Sequence, residues 1–218
     1  MPPADAREGW ATRAFVAFVR HPIGLFGRWM WDLHVTGREH LPKGPHVIAA
    51  NHLSFIDPVI ITLVERQSIR YLAVAGLFDT HPLFARLITF FAAIPTPRDR
   101  VPVAAVRTAL AELDAGRPIG VFPEGRRVSH WREEHPQRGA AWLAMSSGVP
   151  LVPAAVLGAE GTLSQHVSAF TRTPVRVWVE PPLDPYAFVD HEDPVGALGH
   201  AWLEAVGRRL DPWWPDSG

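Results

Sequence analysis

The chain has no cysteine, and among its 21 basic residues only Lys43 is a lysine. Without cysteine there are no disulfides, no thiolate metal sites and no thiol nucleophile, and the redox compartment stays open. Long uninterrupted hydrophobic runs are also missing. The stretch from Trp10 to Trp31 is apolar at most positions, but Pro22, Gly24, Gly27 and three arginines break it, so it cannot cross a bilayer as one helix. The stretch from Leu83 to Ile94 is too short to do so and contains Arg86. A basic excess is absent as well. The net charge of −1 gives no field that would favour nucleic acid over other partners. No Gly-x-Ser-x-Gly elbow occurs, which removes the usual nucleophile of a serine hydrolase. The start, Met1 to Glu8, lacks the basic-then-apolar pattern of a secretory signal, and the expectation is a cytoplasmic protein.

What is present is a chain of 218 residues, 47% hydrophobic, enough to bury one sizeable core. Short apolar runs alternate with helical patterns. Strands are expected at 46–50, 71–75, 119–122, 151–156 and 175–180, and helices at 58–64, 82–91, 101–113, 140–147 and 195–210. This alternation predicts an α/β fold, a single domain with a central, mostly parallel sheet flanked by helices. Between Gly9 and Trp31 there is no acidic residue, while Arg13, Arg20 and Arg28 are spaced among Trp10, Trp29 and Trp31. An amphipathic helix on a membrane surface is the expectation there, with packing onto the core as the alternative.

Four segments carry candidate chemistry. Asn51-His-Leu-Ser-Phe-Ile-Asp-Pro58 lies where a strand runs into a helix, the end of an α/β sheet at which ligand groups gather. On a continuous helix His52 and Asp57 would point about 140° apart, so the segment must bend for them to meet. Ser54 as N-cap with Asp57 three residues on suggests a capping box, and Pro58 suits a first turn. A carboxylate on one imidazole nitrogen would fix the tautomer and leave the other to take a hydroxyl proton. The alternative is a helix cap beside a loop histidine.

In Phe122-Pro-Glu-Gly-Arg-Arg127, Gly125 permits a positive φ, Glu124 can hold a hydroxyl or orient an arginine, and Arg126 and Arg127 can grip phosphate. The alternative is a turn with a surface ion pair. Ile94-Pro-Thr-Pro-Arg98 delivers Arg98 as a phosphate clamp, with Arg100 as a solvated alternative. Val149-Pro-Leu-Val-Pro153 has no titratable side chain and reads as structure or acyl-chain contact.

Taken together and in this order, these segments resemble the four motifs of the glycerol-phosphate and lysophosphatidate acyltransferase family, over residues 40 to 160. The resemblance implies the fold of that family, with residues 1–35 as an N-terminal interfacial segment and 36–218 as the acyltransferase domain. It implies transfer of a fatty acyl group from acyl-CoA or acyl-acyl carrier protein to lysophosphatidate, with His52 as general base and Asp57 orienting it. Arg98, Glu124, Gly125, Arg126 and Arg127 would meet the acceptor. No metal, cofactor or acyl-enzyme is implied, and the expected place of work is the inner face of a bacterial cell membrane. The chain departs from the family pattern at Arg126 and Val128, where threonine and serine are frequent, at Pro97, where an acid is common, and at Ala92 or Ala93, near which a glycine is common. These differences bear on the acceptor, for which another lysophospholipid, a glycolipid or a specialised-metabolite alcohol is the alternative. A lipid-binding protein without catalysis is the rival of another class.

Overall fold

The structure is a computed structural model that describes the backbone of residues 25–74, 94–96 and 103–214, and the side chains of 25–71 and 103–214. Its strands are β1 (His34–Thr36), β2 (Val47–Ala50), β3 (Arg70–Val74), β4 (Ile94–Thr96), β5 (Ile119–Val121), β6 (Leu151–Leu157) and β7 (Arg176–Val179). Its α-helices, besides a helical segment at 25–31, are α1 (Asp57–Val64), α2 (Val103–Asp114), α3 (Gly139–Ser147) and α4 (Pro194–Leu210). The strands form one sheet in the order β1-β7-β6-β2-β5-β3-β4. Every pairing is parallel except that of β6 with β7.

The expected α/β architecture is therefore the observed one, with helices on both faces. The period-2 alternation of the central strands sorts the core into two layers. Val47 and Ala49 of β2, with Leu151 and Ala155 of β6, pack against Ala109 and Leu113 of α2, Ala140 and Ala144 of α3, and Leu198 and Trp202 of α4. Ile48 and Ala50, with Val152, Ala154 and Val156, pack on the other face against Ile60, Ile61 and Val64 of α1. Both faces of β2 and β6 are covered, which is why these strands are apolar throughout rather than alternating with polar residues.

Two strands escaped the sequence reading. β1 is a three-residue edge strand held by β7, and it places residue 35, the expected domain boundary, inside the sheet. β4 is Ile94-Pro-Thr96, read above only as a proline-stiffened exit; it lies at the other edge of the sheet, beside β3. The expected helix at 82–91 and residues 1–24 of the expected interfacial segment lie outside the described residues. Among the described residues, no helix is long and apolar enough to cross a membrane.

Candidate active site

The loop between β2 and α1 is fastened at its first residue. Asn51 is fully buried, donates from Nδ2 to the Val156 carbonyl (2.9 Å) and accepts from the Val156 N–H (2.7 Å). An amide side chain has both a donor and an acceptor, so it continues the β2–β6 pairing for one more rung. The sequence reading gave Asn51 no role; its side-chain chemistry, at the end of a buried strand, was the available signal.

Beyond Asn51 the chain turns so that His52 Nδ1 lies 2.9 Å from Asp57 Oδ2. The same oxygen accepts the Leu53 and Ser54 N–H groups, both at 2.7 Å. Three donors on one buried oxygen fix the Asp57 carboxyl rigidly, and Asp57 in turn fixes the imidazole. His52 is 16% exposed at its side chain and Asp57 fully buried. Nε2 of His52 has no partner among the described residues and is the atom left to meet a substrate. The Phe122 ring stacks on the imidazole at 4.2 Å between centroids, and Tyr71 stacks on Phe122 in turn.

The capping box is only half made. The N-cap of α1 is Ile56, Asp57 opens the helix, and Asp57 reaches back to the Ser54 N–H as a capping-box acid would. Ser54 Oγ does not take the Asp57 N–H, which goes to the Ser54 carbonyl (3.3 Å); it accepts the Ile56 N–H (3.3 Å) and donates to the Thr162 carbonyl (2.5 Å). The neighbouring Phe55 N–H donates to the Leu163 carbonyl (3.1 Å). Tertiary contact thus holds the hydroxyl toward the 162–164 loop rather than over the first helical amides, and that loop becomes a wall of the site.

The second segment closes over the first. Val128 N–H donates to the His52 carbonyl (2.8 Å), and His52 N–H donates to Glu124 Oε1 (3.3 Å). Glu124 is buried, and its Oε2 has no partner among the described residues. Burial, helped by the nearby Asp57 charge, pushes the Glu124 carboxyl up to about 8. Gly125 has φ +71°, the left-handed region in which glycine is favoured, and the end of the Gln137 side chain lies against it.

The two arginines that follow part company. Arg127 is half-buried with its guanidinium 3.4 Å above the Phe55 ring. Burial lowers its pKa, and the Asp57 charge opposes the shift. Its backbone carbonyl accepts from Gln165, which also takes the Ser129 hydroxyl at 3.0 Å. Arg126 instead turns outward to Glu133 (3.0 Å) and Glu134 (2.5 Å). Arg98 lies outside the described residues. Of Val149 to Pro153, the last three residues open the central strand β6 and carry structure. Among the described residues no group of three or more histidines and acids is placed to hold a metal ion.

Against this geometry the comparisons with known proteins can be set. The family model described as Acyltransferase matches residues 32–157, more than half of the chain. A chloroplastic 1-acyl-sn-glycerol-3-phosphate acyltransferase, BAT2 of Brassica napus, is 29% identical over 149 residues, covering 66% of this chain and 42% of that protein. The 1-acyl-sn-glycerol-3-phosphate acyltransferase of Bacillus subtilis is 31% identical over 127 residues, covering 57% of this chain and 62% of the relative. The matched part is thus less than two thirds of either relative's length. The crystal structure of the 1-acyl-sn-glycerophosphate acyltransferase PlsC from Thermotoga maritima shares the fold, with a TM-score of 0.73 over 95% of this chain and 84% of that one, at 24% identity. With the matching segment running from just before β1 to the end of β6 and enclosing both arms of the site, the chain belongs to the acyltransferase family.

Proposed function

We propose that this chain transfers a fatty acyl group from acyl-CoA or acyl-acyl carrier protein to the free hydroxyl of lysophosphatidate, giving phosphatidate. The observation that carries the reading is the His52–Asp57 pair, buried on its aspartate side and open at His52 Nε2. With Nδ1–H held by Asp57, Nε2 is the acceptor nitrogen. It takes the hydroxyl proton as the hydroxyl oxygen bonds to the thioester carbonyl carbon. The tetrahedral adduct then expels the thiolate, which recovers the proton from the imidazolium, so His52 ends as it began. Arg127 is the described cation suited to the acceptor's phosphate, and the unpartnered Oε2 of Glu124 is suited to its glycerol portion. That the relatives are 1-acyl-sn-glycerol-3-phosphate acyltransferases supports lysophosphatidate as the acceptor.

The test is turnover by the purified protein with acyl-CoA against a panel of lysophosphatidate, other lysophospholipids and glycolipids. Preference for lysophosphatidate is the expected result. Turnover of another acceptor alone would keep the chemistry and change the substrate, and no turnover with either acyl-CoA or acyl-acyl carrier protein would overturn the reading.

A further inference from the structure

The peptide unit that joins Arg127 to Val128 is tied at both of its polar atoms. Val128 N–H donates to the His52 carbonyl (2.8 Å), and the Arg127 carbonyl accepts from Gln165 Nε2. A peptide is planar, so holding both atoms fixes its plane and narrows the directions in which the Arg127 side chain can leave the backbone. That side chain carries its guanidinium 3.4 Å above the Phe55 ring. The platform is fastened as well, since Phe55 N–H donates to the Leu163 carbonyl (3.1 Å). One anchor of the peptide is the backbone of the catalytic histidine, and the other is a glutamine from a distant loop.

Gln165 is itself held for this contact. Its Oε1 accepts from Ser129 Oγ (3.0 Å), which leaves Nε2 facing the Arg127 carbonyl. It is the second residue of a tight turn in which Val167 N–H donates to the Ser164 carbonyl (2.9 Å), and Ser164 Oγ accepts the His166 and Val167 N–H groups at 3.3 and 3.1 Å. Ser164 also pairs with Ser54 in an isolated antiparallel bridge. The rest of the loop, residues 162–173, is closed by Leu163 N–H on the Ala169 carbonyl (3.1 Å) and Thr171 N–H on Thr162 Oγ1 (2.9 Å). Its Phe170 packs edge-on against the buried Trp31 at 5.8 Å. An exposed glutamine on a slack loop would hold little, because water competes for its amide; here the turn presents the amide already placed.

Ser129 sorts the two arginines from one position. Its hydroxyl orients Gln165 behind Arg127, and its N–H donates to Glu133 Oε2, whose Oε1 takes Arg126 at 3.0 Å. We infer that Gln165, oriented by Ser129, is a positioning residue for the acceptor. It sets the Arg127 guanidinium on the Phe55 ring at a fixed place relative to His52, so that the acceptor's phosphate and its attacking hydroxyl are registered together. The inference rests on the proposed contact between Arg127 and the acceptor's phosphate. Gln165 acts through Arg127, and its effect should vanish when that guanidinium is gone.

The experiment is a kinetic double-mutant cycle on the full chain with acyl-CoA and a short-chain, water-soluble lysophosphatidate, paired with calorimetric titration of the same lysophosphatidate. Gln165→Met keeps the side chain's length and removes both of its hydrogen bonds; being an exposed position, it should leave the thermal midpoint unchanged. It should raise KM for lysophosphatidate about fivefold, the worth of one neutral hydrogen bond, with kcat within about twofold and KM for acyl-CoA unchanged. Ser129→Ala, which frees the amide to turn, should shift the acceptor KM the same way by about twofold. In an Arg127→Ala chain, Gln165→Met should add no further rise. An unchanged acceptor KM in Gln165→Met, or the same rise with and without Arg127, would overturn the inference, as would a loss of kcat that follows a lowered thermal midpoint. The calorimetric arm should show the same fivefold weakening, to about that factor, without any turnover. If the wild type binds lysophosphatidate yet acylates nothing, the proposed reaction fails and the binding ratio alone decides the role of Gln165. No binding by the wild type would overturn the inference together with the phosphate contact on which it rests.

Discussion

Two histidine–acid pairs bracket the same strand–helix unit, and they differ in what they leave open. His46 precedes β2 and meets Glu65, the residue after α1, at 3.0 Å; His52 follows β2 and meets Asp57, the first residue of α1, at 2.9 Å. The distances are alike. At the first pair everything is satisfied: His46 bonds Gly44 through Nδ1 and Glu65 through Nε2, Glu65 also accepts the Arg66 and Gln67 N–H groups, and both side chains are fully buried. At the second, among the described residues, His52 Nε2 meets no partner and the buried Asp57 Oδ1 and Glu124 Oε2 have none. A closed pair staples the sheet to the helix, and an open one is left with capacity to bond a substrate. Chemistry follows from incomplete satisfaction, not from residue type.

Swapping the two sites' fates is the sharpest way to break this comparison. His52→Ala should lower kcat by at least on the order of 10²-fold, the loss expected for a general base, with little change in thermal stability because its ring is partly exposed. His46→Ala should do the reverse. It leaves the buried Glu65 short of a partner and should cost about 2–4 kcal/mol in denaturant unfolding, while the folded fraction turns over at near the wild-type rate. Equal activity losses in the two variants would mean that the sheet end, rather than the open nitrogen, decides.

The buried acids separate the two ends by the sign of their pH dependence. Burial pushes Glu65 up, but the His46, Gln67 and Arg66 hydrogen bonds outweigh it and hold the carboxyl below its ordinary value. Its stabilising contribution is present above the ordinary carboxylate range and is lost as acid is added. Glu124 is raised from 4.5 to about 8, so its contribution is full below about pH 4.5 and declines as pH rises through about 8. Glu124→Gln, which keeps a neutral group in the same space, should therefore flatten the fall in stability between those two pH values. Urea titrations at pH 5, 7 and 9 would show it, and a slope as steep in the variant as in the wild type would assign the decline elsewhere.

How much of this was legible in the sequence follows from how local each interaction is. His52 and Asp57 are five residues apart, and one bend at a strand end brings them together, so spacing and position sufficed. The central strands β2 and β6 were readable as apolar runs because both faces are covered. His46 and Glu65 lie on either side of a whole strand–helix unit, and nothing in either residue's neighbourhood announces the other. β1 was hidden because three residues with an exposed-intermediate-exposed pattern carry no periodicity, and only β7 makes them a strand. The Phe170 loop carried no signal of its own, since Ser54 and Phe26, which it meets, lie more than a hundred residues away. Ser54 misled for the same reason: its local signal was real, and a distant carbonyl won.

Arg126 and Arg127 carry the comparison of open and closed groups to its smallest scale. The sequence offered them as one phosphate grip, yet backbone geometry after Gly125 sends neighbouring side chains to different places. Arg126 is half-exposed and already neutralised by Glu133 and Glu134, so recruiting it would break two ion pairs that water screens in any case. Arg127 rests on the Phe55 ring and, among the described residues, forms no ion pair with a carboxylate; Gln165 holds it from behind on its carbonyl. Arg127→Ala should raise KM for a phosphate-bearing acceptor about tenfold, the loss of one charge-assisted contact. Arg126→Ala should leave KM within about twofold, because what it loses is a solvent-exposed ion pair. Should Arg126→Ala instead raise KM as much as Arg127→Ala does, the acidic pair would be a resting partner that the acceptor displaces, and the outward arginine would belong to the site after all.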